Sequence, residues 1–67
     1  MRVRFSAKHR GFGTWKFVVV GVSADPRFGF VSSDGETALF ITARFSVALK
    51  RAKRIAVEAG ATEVWAD

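Results

Sequence analysis

Residues 2–7 read RVRFSA, with Val3, Phe5 and Ala7 on one side and Arg2, Arg4 and Ser6 on the other. That two-residue alternation is the signature of a half-buried strand. The segment KHRGFG then reads as a loop or hairpin tip. Residues 14–22, TWKFVVVGV, are dominated by the β-branched and aromatic side chains that strands favour. SADP ends this run, because proline has no N–H for a ladder and restricts the residue before it. Two more strands are predicted at 27–32 and 37–42, joined across SDGE, a good hairpin turn.

From residue 45 the period changes. Phe45, Ala48, Leu49, Ala52, Ile55, Ala56 and Ala59 recur three and four apart, forming the single apolar stripe of an amphipathic helix. Gly60 supplies a left-handed stop, and Thr42 and Ser46 are candidate N-caps. TEVWA returns as a last strand. The order ββββαβ predicts one α+β domain over residues 1–67. It would be an antiparallel sheet of four to five strands with one helix near the C-terminus.

The strand at 14–22 carries more apolar surface than one helix can cover. Its odd positions are Trp15, Phe17, Val19 and Gly21, and its even positions are Lys16, Val18, Val20 and Val22. Side chains alternate between sheet faces, so both faces are largely apolar. Leaving Val18, Val20 and Val22 bare would forgo roughly 1.5–3 kcal/mol each. Three arrangements would cover them: curling of the sheet into a partial barrel, a homodimer packed through these valines, or a different partner.

Register decides what the 27–42 hairpin does with its phenylalanines. A two-residue turn at Asp34-Gly35 sets Phe30 against Leu39 and Phe28 against Ile41, so the phenylalanines are core. A three-residue loop shifts the pairing by one and gathers Phe28, Phe30 and Phe40 on one face as a platform. Asp-Gly suits both turns.

Composition narrows the class. Sixty-seven residues bury only about 60% of the extended surface, and with no cysteine there is no disulfide or thiolate–metal site to reinforce the core. A 49% hydrophobic content with seven phenylalanines nevertheless argues for a globular chain. No apolar run approaches the roughly 20 residues of a membrane span, and the lack of cysteine fits a cytoplasmic location. The arginine-rich start has the charge of a transit peptide, but its alternation reads as a strand.

The charge is uneven. Arg2, Arg4, Lys8, Arg10 and Lys16 meet no acid before Asp25, so the whole formal net charge of +5 sits in the first third. Such a field attracts polyanions or an acidic protein surface. A second basic cluster, Lys50, Arg51, Lys53 and Arg54, falls on the outer side of the predicted helix beside Val47 and Val57.

Two stretches interleave bases and aromatics. RGFGTWKF, residues 10–17, resembles the RNP1 signature of RNA-recognition-motif domains, with Thr14 where that signature has an aromatic. RFGFVSSDGETALFIT, residues 27–42, resembles the paired RNP1 and RNP2 strands of cold-shock domains, which are oligonucleotide-binding barrels. That resemblance implies Phe28, Phe30 and Phe40 as base-stacking residues with Arg27 near the backbone. Arg27 replaces the usual glycine before the first phenylalanine, and Thr42 replaces the RNP2 histidine.

Catalytic chemistry is not suggested. His9 is the only histidine and reads as a surface residue in a basic loop. No Cys/His set fits a metal, no nucleophile–base pair emerges, and GFG alone is not a phosphate loop. No cofactor is implied. The expectation is a small, sequence-tolerant nucleic-acid-binding protein using Arg10, Phe12, Lys16, Arg27, Phe28, Phe30 and Phe40, with a preference for single strands. The alternative is a protein-binding module, a phage-type inhibitor or an adaptor, using Lys50, Arg51, Lys53 and Arg54 against an acidic partner.

Overall fold

A computed structural model describes residues 1–6 and 8–67. Its strands are β1 (Arg2–Phe5), β2 (Phe12–Val20), β3 (Val31–Ser33), β4 (Glu36–Arg44) and β5 (Glu63–Ala66). The helix α1 (Phe45–Ala59) lies between β4 and β5. Class and element order are those the pattern predicts, with the first strand ending at Phe5; Ala7 lies outside the described residues.

The sheet order is β1-β5-β2-β4-β3, with the apolar strand β2 at the centre. β4 and β5 flank β2 and both run antiparallel to it, so α1 is the crossover that joins two parallel-running strands over one face. β5 then enters between β1 and β2, which leaves β1 parallel to β5 at one edge. The sheet is therefore mixed. It is also open, not curled into a barrel, and its edges β1 and β3 are only four and three residues long.

Helix and sheet meet through small residues. Ala48, Ala52 and Ala56 are buried, so the helix backbone settles close on Phe17, Val19, Leu39 and Val64. Phe17 is fully buried, and the Trp15 indole N–H donates to the Ala43 carbonyl at 2.9 Å. Neither Thr42 nor Ser46 caps the helix. β4 runs straight into α1, so Arg44 is both last strand residue and N-cap, with no side-chain cap bond. The Phe45 N–H instead donates to the Gly11 carbonyl at 2.8 Å. Gly60 does close the other end, at φ 83°, its N–H reaching the Ala56 and Val57 carbonyls.

The hairpin takes the two-residue turn. Ser33 pairs with Glu36, while Asp34 and Gly35 sit at φ 52° and 78°, the left-handed pair of a type I′ turn. Val31 then pairs with Ala38, and Phe30 falls on the helix side, 3% exposed in the core. Phe28 stacks on it at 5.5 Å and is half-buried. Residues 27–30 do not extend the strand. The Asp25 carboxylate accepts from the Arg27 backbone N–H at 3.0 Å and from its guanidinium at 2.8 Å, and Phe30 bridges back to Asp25. These local bonds compete with the ladder and hold a closed loop.

The three valines are divided as well. Val18 is buried by its sheet neighbours and Val20 is 39% exposed. Gly21, at φ 88°, breaks the alternation and turns Val22 back onto the core. No face carries all three, so the expected valine contact between two copies is not assembled.

Candidate functional site

The sheet face opposite α1 is uncovered. Paired residues on neighbouring strands point the same way, so the ladders give its layout. The row Val31–Ala38–Val18–Trp65–Arg4 crosses all five strands. The Arg4 guanidinium sits over the Trp65 ring, 5.3 Å from its centroid, an arrangement in which cation and ring quadrupole attract.

Toward the helix N-terminus the face becomes aromatic and polar. Phe40 pairs with Lys16, Thr42 with Thr14, and Arg44 with Phe12. The two threonine hydroxyls are 2.8 Å apart. Phe12 is 74% exposed and Phe40 48%, two benzyl groups that the fold leaves in water. Their strand positions put them about 14 Å apart, four residues along the strand direction.

Ion pairing divides the bases into two groups. Glu63 faces Arg2 at 3.7 Å and Arg4 at 3.9 Å, while Lys16 lies 3.7 Å from both Asp34 and Asp67. The Lys16 side chain is only 19% exposed. Among the described residues, Lys8, Arg10 and Arg44 have no carboxylate partner. All three stand at the Phe12 end, beside a helix N-terminus with no side-chain cap and no acid in its first turn. The helix dipole adds to the positive potential there.

Of the residues expected from sequence, Arg10, Phe12, Lys16 and Phe40 come together at this face or its rim. Arg27, Phe28 and Phe30 do not. Phe30 is enclosed, Phe28 packs against the core, and Arg27 is held by Asp25. The three phenylalanines that the cold-shock resemblance groups together are thus split between the two sides of the sheet. Their hydrogen-bonded loop also sets the Asp25 carboxyl below its ordinary value, chiefly through the Arg27 side-chain hydrogen bond and then the Arg27 backbone N–H.

Arg44, Trp65 and Arg4 join the face without having been singled out. The signal was present: Thr42 and Arg44 keep the alternation of Phe40, and Trp65 alternates with Val64. His9 is not a free surface residue either, since its ring lies flat on Phe45 at 4.8 Å. Compared with known protein families, curated proteins and solved structures, the chain matches none. No helix is long and apolar enough to cross a membrane. The helix bases Lys50, Arg51, Lys53 and Arg54 are exposed on the opposite side of the molecule and, among the described residues, unpaired.

Proposed function

We propose that the protein binds single-stranded nucleic acid on the open sheet face, with little sequence preference. The observation that carries this reading is an open sheet face that exposes Phe12 and Phe40 and has, at its Phe12 end, Arg10 and Arg44 without a carboxylate partner among the described residues. Aromatic faces stack on any base, at about 1–3 kcal/mol per base, while the cations hold phosphates. Thr14 and Thr42 offer hydroxyls between the two rings. Lys16, opposite Phe40, is already engaged by two carboxylates and contributes less to phosphate binding. Width favours single strands: five strands span about 19 Å, more than the roughly 12 Å major groove admits.

The test is fluorescence anisotropy with labelled single- and double-stranded oligonucleotides at about 50 and 200 mM salt. Tighter binding to single strands, weakened by salt and by Phe12→Ala, is the expected result. Equal affinity for duplex, or none at low salt, would rule the reading out.

A second reading has its own observation. Lys50, Arg51, Lys53 and Arg54 flank Val47, 40% exposed, and Val57, 61% exposed, a mixed basic and apolar helix surface suited to an acidic protein. This is the surface that a phage-type inhibitor or adaptor would use. Changing Lys50, Arg51 and Arg54 to glutamate abolishes function only if this helix is the contact.

A further inference from the structure

Behind the Phe12 end, on the helix side of the sheet, a hollow of about 580 Å³ opens between β1, the 8–10 loop and the start of α1. Its walls are the rings of Phe5, His9 and Phe45, and Ser6, Lys8 and Arg10 complete the lining. The volume falls within the roughly 300–1,000 Å³ of small-molecule sites. Phe5 lies on the helix side of the sheet but on the edge strand β1, and it remains 54% exposed.

The walls are set by packing. His9 stacks on Phe45 and meets Trp15 edge-on at 5.5 Å, while Phe5 tilts against Phe45 at 6.3 Å. The His9 Nε2–H donates to the Asp67 carbonyl oxygen at 2.9 Å, since a carbonyl can only accept. That leaves Nδ1 buried in the wall with no partner, the one such side-chain atom among the described residues.

We infer that this hollow is a nucleotide pocket for a nucleoside monophosphate, free or as the 5′-phosphorylated end of a strand. Planar rings suit a base, and Lys8 and Arg10, without a carboxylate partner among the described residues, suit a phosphate. The described lining includes no acidic side chain. The strand-end form rests on the strand-binding reading above; the free-nucleotide form does not.

Titration of the ¹⁵N-labelled protein with AMP, adenosine and inorganic phosphate tests the pocket. AMP is expected to bind at least ten-fold more tightly than either fragment, with shifts centred on Phe5, Lys8, His9 and Phe45. Phe5→Ala is expected to cut AMP affinity at least ten-fold without changing that for phosphate. Lys8→Gln, on an exposed residue, is expected to weaken AMP and inorganic phosphate alike, which tests the pocket should Phe5→Ala fail to fold. AMP binding no tighter than inorganic phosphate, or shifts elsewhere, would overturn the pocket whether or not oligonucleotides bind. A 5′-phosphorylated oligonucleotide should also outbind its 5′-hydroxyl counterpart in the wild type and not in Phe5→Ala. Equal binding in the wild type would overturn the strand-end form, while AMP binding with no strand binding leaves only the free form.

Discussion

Phe12 stands directly across the β2–β4 ladder from Arg44, the residue that ends β4 and begins α1. One strand-to-helix junction therefore sets an exposed ring, an unpaired guanidinium and a helix N-terminus side by side. No loop separates β4 from α1.

Phe12→Ala should cost about 1–3 kcal/mol of oligonucleotide binding, the contribution of one stacked base. Stability should change by no more than about 0.5 kcal/mol, because the ring is mostly in water. Anisotropy and thermal denaturation of the same preparation check both halves.

Phe30→Leu should do the opposite. The ring is 3% exposed, so a leucine of similar volume costs about 1 kcal/mol of stability and leaves oligonucleotide binding unchanged. A stacking role for Phe30 would appear as lost binding in this folded variant.

Ala52→Leu should destabilise by about 1–3 kcal/mol through overpacking, since the buried alanines set how closely α1 approaches the sheet. Phe17→Ala should cost more, about 3–5 kcal/mol, by opening a cavity at the centre. Urea denaturation measures both.

Acid should loosen the 25–30 loop. The Asp25 carboxyl is held below its ordinary value by its hydrogen bonds to Arg27, so the ion favours the folded state. A lowered folded pKa gives stability that is present above the unfolded value of about 3.9 and is lost as pH falls through the folded one. The wild type should therefore be more stable than Asp25→Asn at pH 7, with the gap closing below about pH 4. Thermal midpoints of the pair across that range test the sign.

The elements were legible because their signals are local. The alanine stripe of α1, its stop at Gly60 and the β-branched run of β2 need no partner to be recognised. Strand order was not, because β5 is four residues long and nothing within it says that it enters between β1 and β2. The hairpin register hung on one residue of turn length, which decided whether Phe28 and Phe30 faced water or core. Half of the candidate site was visible in Arg10, Phe12, Lys16 and Phe40. Arg44 was not among them. Its place opposite Phe12 depends on the long-range β2–β4 pairing.

The most direct measurement is the map of amide shift changes when an unstructured oligonucleotide with a 5′-hydroxyl is added to the ¹⁵N-labelled protein. Changes are expected to concentrate at Phe12, Thr14, Phe40, Thr42 and Arg44, with Lys50, Arg51, Lys53 and Arg54 undisturbed. Changes confined to the outer face of α1, or none at all, would contradict binding on the sheet face.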